Sequence, residues 1–237
     1  MEDLAPARAG GEGGRARTRR RRHRYSKRSA AHTVRAIDPP DMERIRAAAR
    51  RYVPPPGWFE GIVPWQVVDL LELAGFVPEV LCHPDVWHLR AVPEDDGRLH
   101  LRFTRHKKEG GTGEMDLPVV MLDHPDARWI PALIERFRER PITRQHLGRM
   151  LAQISELAGV PFSSRSLRHT CGVRVAFESR DAASVTAWLG CSYAIATKHY
   201  LRLATSRDPR FLALSRGANG RSPSPGASPS PGGSGSL

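Results

Sequence analysis

The 237-residue chain has little cysteine, few aromatics and no long apolar run, and each shortage excludes something. Cys82, Cys171 and Cys191 are odd in number and widely spaced, which excludes a disulfide framework and a zinc site, so they read as core thiols. No window approaches the ~20 apolar residues of a membrane span, and the acidic, then arginine-rich N-terminus lacks the apolar core of a secretion signal. The expected setting is therefore intracellular, with no membrane partner. Aromatic residues make up only 7% of the chain, yet 40% hydrophobic content is enough to bury one core of moderate size. No internal repeat is found.

Acidic residues are scarce at the N-terminal end. Residues 1–36 hold eleven Lys or Arg against three acids, a local +8 out of a net +12, whereas residues 37–215 carry only about +2. The strong basic character thus belongs to an arm too charged to bury, expected to be disordered. Its Arg19, Arg20, Arg21, Arg22 and Arg24 are suited to neutralising phosphates with release of counterions. Nucleic acid is the matching polyanion, and an import signal or a solubilising tail is the plainer reading of the same run. Residues 216–237 are low-complexity Ser, Pro and Gly, also expected to be disordered and without chemistry.

Between these ends lies a body of helices interrupted by a small sheet. Asp38-Pro39-Pro40-Asp41 opens a helix to about Tyr52 with Met42, Ile45 and Ala49 on one face, and Arg44, Arg46, Arg50 and Arg51 read as its solvated side. Three prolines, Pro54 to Pro56, force an extended connection, and Pro64 starts a helix that Gly75 ends. Alternation of Leu99, Leu101 and Phe103 with His100, Arg102 and Thr104 predicts a strand. Flanking strands are expected at about Trp87–Val92, joined by an Asp96-Gly97 turn, and at Met115–Leu122, after the basic, glycine-rich loop RHKKEGGTGE. Helices are expected from Pro131 to Arg140 and from a Thr143 cap to Gly159, the latter with an apolar stripe of Leu147, Met150, Leu151, Ile154 and Leu157.

Residues 164–203 carry the chemistry. Leu167, Cys171 and Val175 recur at fourfold spacing in a helix from about Ser166 to Glu178. Asp181 caps a second, to Leu189, that buries Val185, Trp188 and Leu189 before Gly190. Ser192 caps a third, with Ala194, Thr197 and Leu201 along one face and Tyr200 flanked by Lys198, His199 and Arg202. A tyrosine among cations is a nucleophile candidate.

The string SLRHT, then LGC, then Thr197-Lys198-His199-Tyr200 resembles the C-terminal catalytic segment of tyrosine recombinases, the phage-integrase family. That family reads His-x-Leu-Arg-His-Thr, Leu-Gly-His and Thr-x-x-Tyr at the same spacing. The resemblance implies an α+β domain over residues 37–215, mainly helical with a three-stranded antiparallel sheet. It places Arg168 on the second catalytic arginine and Tyr200 on the nucleophile that forms a covalent 3′-phosphotyrosine with DNA. Lys107, on the hairpin loop, becomes the lysine that protonates the leaving oxygen. Arg165 stands where the family has histidine and Cys191 where it has histidine or tryptophan, and Lys108, His169, Lys198 and His199 are expected against DNA. The family's first catalytic arginine, in Gly-x-Arg-x-x-Glu, has no counterpart in Gly75-Phe76-Val77-Pro78-Glu79, and Arg90, on the next strand, is the nearest substitute. No metal or other cofactor is implied. The expected partners are DNA and, on DNA, further copies of the chain. Two readings stay open: a DNA breaking and rejoining enzyme of phage or mobile-element type, and a catalytically inactive descendant that binds DNA. A third takes the resemblance as accidental and the arm as an RNA-binding or assembly tail.

Overall fold

Two of the first helices begin on proline, whose missing N–H is no loss in a first turn. In the computed structural model, which describes residues 36–106 and 112–205, these are α1 (Pro39–Arg51) and α2 (Pro64–Ala74). Gly75 closes α2 in the left-handed conformation, φ 64°, and a short helix not expected from the sequence, α3 (Pro78–Cys82), follows at once. Met42, Ile45 and Ala49 of α1 are buried as their spacing predicts.

The sheet is antiparallel in the order β1 (Arg90–Pro93), β2 (Arg98–His106), β3 (Thr112–Met121). Leu99, Leu101 and Phe103 point into the core, while Arg102 on the opposite face pairs with Glu94 at 2.8 Å and Asp116 at 3.2 Å. The first strand starts three residues later than its apolar pattern predicts. His88 sits at φ 48° and Leu89 N–H donates to Pro84 O at 2.9 Å, so residues 84–89 turn instead of extending.

Helix α4 (Asp126–Glu139) begins five residues before the expected Pro131. Trp129 Nε1 donates to the Asp126 carboxylate at 2.9 Å, and Pro131 lies inside the helix, where its missing N–H leaves the Ala127 carbonyl without the usual amide. Leu133, Ile134 and Phe137 of α4 are buried. Thr143 accepts from His146 N–H at 3.1 Å to start α5 (Arg144–Ala158). Its stripe is buried except for Leu157, which is 55% exposed and faces solvent one residue before the helix ends.

The C-terminal part is α6 (Ser164–Ser179), α7 (Ala182–Leu189), α8 (Tyr193–Ala196), a π turn (Thr197–Leu201) and α9 (Arg202–Thr205). Ser163 and Ser166 close a reciprocal capping box on α6, which starts the helix two residues early. Asp181 caps α7 and Ser192 caps α8 as read from the sequence, although Trp188 is only half-buried. The third helix is broken into α8, the π turn and α9, since Arg202 N–H reaches back five residues to Thr197 O and widens the turn. Ala194 and Thr197 share the outward face, and Ala196 and Tyr200 face inward.

One ionic network crosses the helix layers. Arg46, expected on a solvated face, instead bonds Asp69 at 2.9 Å and Glu72 at 3.4 Å on α2. Glu72 is buried and also faces Arg174 of α6 at 3.6 Å, whose guanidinium donates to Leu73 O at 2.8 Å. Glu72→Ala would leave two partly buried guanidiniums sharing Asp69 and Glu178, and is expected to cost about 2–4 kcal/mol. The shift in urea midpoint against the wild-type chain measures it.

Candidate active site

Arg168 lies on the first half of α6, and its guanidinium meets the ends of two other helices. It donates from Nη1 to Gly75 O and from Nη2 to Leu189 O, the latter at 2.7 Å. Both carbonyls close helix C-termini, where the macrodipole favours a cation. A guanidinium has five N–H donors, and three of these have no partner among the described residues.

The ring of Tyr200 lies one turn further along the same face of α6, 4% exposed. It packs on Gly172, where an added Cβ would fall 2.5 Å from Tyr200 Cε1 and 2.7 Å from Leu189 Cδ1. Only glycine leaves the ring that room. The His169 ring lies 5.4 Å from it, centroid to centroid, tilted by 34°. Burial holds the Tyr200 phenol above its ordinary 10, and Arg168 and Arg165 pull the other way without offsetting it. His169 is held below its ordinary 6.5, first by burial and then by Arg165, His199 and Arg168, so the imidazole is neutral at pH 7.

Of the other residues singled out from sequence, Arg165 is exposed in the first turn of α6, and Lys198 and His199 are exposed on the π turn. Cys191 is half-buried just past α7. Burial raises its thiol, with Arg168 and Arg105 pulling against that shift. Cys82 and Cys171 are buried core thiols, both pushed up to about 11, chiefly by burial. Lys107, Lys108, Arg19, Arg20, Arg21, Arg22 and Arg24 lie outside the described residues.

The first-arginine position is filled by core. Phe76 is buried and meets Phe103 edge to face at 5.8 Å and 79°, while Val77 packs against the same cluster. Arg90 does not make up for it. Its side chain is turned to Glu114 at 3.9 Å and lines a surface depression with Asp85, His88, Thr104 and Arg138.

Arg105, which the sequence reading left among the loop cations, is at the site. Its guanidinium covers Gly190 so closely that any Cβ there would collide with Nη1 and lie 2.7 Å from Cζ. A signal for this was present in the sequence: Arg105 continues the inward phase of Leu99, Leu101 and Phe103, a charge on the buried face of its strand. Among the described residues no carboxylate pairs with Arg105, Arg165 or Arg168, and no cluster of His, Cys, Asp or Glu could hold a metal ion. None of their helices is long and apolar enough to cross a membrane.

No family model and no curated protein matches the chain. Solved structures do. The XerH site-specific recombinase bound to palindromic difH substrate, a post-cleavage complex, matches with a TM-score of 0.52 at 14% identity, over 78% of this chain and 53% of that one. The fold is tyrosine-recombinase-like. XerH in its pre-cleavage complex with difH gives 0.48 at 14% identity, over 78% of this chain and 52% of that one. XerA recombinase gives 0.46 at 15% identity, over 82% and 66%. This chain therefore spans about half the length of the XerH chain. Within the recombinase-like fold, Arg168, Tyr200, Cys191 and Arg105 come from α6, the π turn, the end of α7 and β2, and meet around the turn at Gly190.

Two outcomes follow from this packing. Gly172→Ala forces the Tyr200 ring outward and is expected to cost about 1–3 kcal/mol, read as a lower denaturation midpoint with greater tyrosine exposure. His169 binds its proton more weakly folded than unfolded. Its contribution to stability is therefore complete above about pH 6.5 and falls as pH drops through that value. Urea midpoints at pH 7.5 and pH 5.5 should differ less in His169→Gln than in the wild-type chain.

Proposed function

We propose that this chain is a recombinase-type DNA-binding protein that breaks and rejoins DNA strands through a covalent 3′-phosphotyrosine on Tyr200. The observation that carries the reading is the docking of Tyr200 on α6 beside Arg168, within a group of cations that no carboxylate among the described residues neutralises. Such a group is suited to the extra negative charge of a pentavalent phosphorus transition state. The recombinase-like fold and the matched spacing of SLRHT, LGC and TKHY support it.

In this mechanism the three free N–H groups of Arg168 hold the non-bridging oxygens of one phosphate. The Tyr200 oxygen attacks phosphorus, its proton passing to the neutral His169, and the bond to the 5′ oxygen of the next deoxyribose breaks. That oxygen takes a proton, the role assigned to Lys107. Attack by a 5′ hydroxyl on the phosphotyrosine reverses the step and rejoins a strand, so bond energy is conserved without metal or nucleotide. Arg165 and the exposed Lys198 and His199 lie where they can follow the flanking backbone, and the arm adds sequence-independent affinity. A second reading, binding without cleavage, is favoured by Phe76 in the core at the first-arginine position.

A nicked suicide duplex, incubated with the full chain and run on a denaturing gel, separates them. Under the enzymatic reading a covalent adduct forms and maps to a Tyr200 peptide. Tyr200→Phe abolishes it with DNA binding retained, and Arg168→Ala slows it by about 10²–10³. A wild-type chain that binds every such duplex and never forms the adduct is a binding protein only.

A further inference from the structure

Resting on that reading, we propose that Arg105 is the second phosphate-binding arginine of the site, forming with Arg168 a two-guanidinium cradle over the Leu189-Gly190-Cys191 turn and supplying the charge that Phe76-Val77 lacks.

The placement follows from the strand that carries it. Phe103 and Arg105 are two residues apart on β2 and therefore share a face. Phe103 meets Phe76, the residue at the first-arginine position, edge to face, so the strand is docked where that arginine is missing. Two residues further on, Arg105 reaches past this aromatic pair to Gly190. Arg168 approaches the same turn from below, through Leu189 O. Gly190 makes the approach feasible, since any side chain there would occupy the place of the guanidinium.

Charge supports a ligand between the two. The arginines that tie the elements of the described body together have acidic partners: Arg102 with Glu94, Arg138 with Asp85, Arg144 with Glu79 and Arg174 with Glu72. Arg105 and Arg168 face one another without one, and their mutual repulsion makes Arg105 lose its proton more readily, though burial contributes more. Two half-buried guanidiniums side by side are unfavourable alone and become favourable around a shared phosphodiester, whose single negative charge grows towards two in the transition state. The ligand class is a nucleic-acid phosphodiester, the same phosphate that Tyr200 would attack.

Cys191 reports on this cradle, because its thiol lies in the field of both arginines while Cys82 and Cys171 are buried. The probe is a short labelled duplex DNA. The full chain is alkylated with iodoacetamide with and without saturating duplex, the Cys191 peptide is quantified by mass spectrometry, and the salt dependence of binding is measured by anisotropy. In the wild-type chain the duplex slows Cys191 alkylation. Arg105→Ala removes that protection and lowers the slope of log K against log[salt] by about one, the loss of one phosphate contact. Arg105→Lys restores the slope, and Arg102→Ala, on the other face of β2, leaves protection intact. Should Arg105→Ala not fold, as judged by circular dichroism, Arg105→Gln carries the same measurement. Protection and slope unchanged in Arg105→Ala but lost in Arg168→Ala overturn the role of Arg105 and leave the proposed function standing. A wild-type chain that binds duplex with no change at Cys191 places DNA elsewhere and overturns both.

Discussion

One guanidinium holds the C-terminal half of this molecule together. Arg168 donates to the carbonyls that end α2 and α7, so three helices converge on a single positive charge at the point where two helix dipoles favour it. The contact fixes the arginine before any ligand arrives and leaves its remaining donors directed outward, the condition for electrostatic preorganisation. It also sets the floor on which Tyr200 lies. α6 crosses the ends of α2 and α7 at the height of Gly172, and the phenol ring fills the space that glycine leaves open.

Charge is sorted around this centre in a way net charge alone does not show. On the scaffold, arginine is used as a structural cross-link, in the Arg46–Glu72–Arg174 network and in the pairs of the sheet and of α3 with α5. Near Tyr200 no carboxylate among the described residues pairs with the cations, and Arg105, Arg165, Arg168, His169 and His199 act on one another. Unpaired cations in a partly buried setting repel and weaken the fold. A neutral His169 and a protonated phenol keep that repulsion down, and a phosphate bound as proposed would reverse the sign of the local field. The energetic logic is a site kept uncharged where it can be, and charged only where a phosphate would sit.

The local punctuation of the chain was legible because it is local. Pro64 and Gly75 bound α2, and Thr143, Asp181 and Ser192 cap their helices by bonds that span three residues or fewer. The alternation of β2 likewise needs no partner to be seen. Where expectation failed, the cause was a local bond that apolar periodicity does not register: the His88 turn delaying β1, the early start of α4 ahead of Pro131, and a π turn in place of a regular last helix. Ala196 and Tyr200, four apart, still share the inner face and Ala194 and Thr197, three apart, the outer one, so the periodicity was legible there and only the widened hydrogen-bond pattern was not.

By itself the sequence determined the kind of fold, the spacing that joins Arg168 to Tyr200, and the absence of an arginine after Gly75, since each is a matter of residue order along a few turns. Only the tertiary structure decided what stands in the empty place. The Phe76–Phe103 contact joins segments remote in sequence and docks β2 against the end of α2. Arg105 then lies two residues beyond it, over Gly190 and beside Arg168. Charges separated along the chain act as one site only when packing brings them within a few ångströms, where their interaction outweighs screening by water.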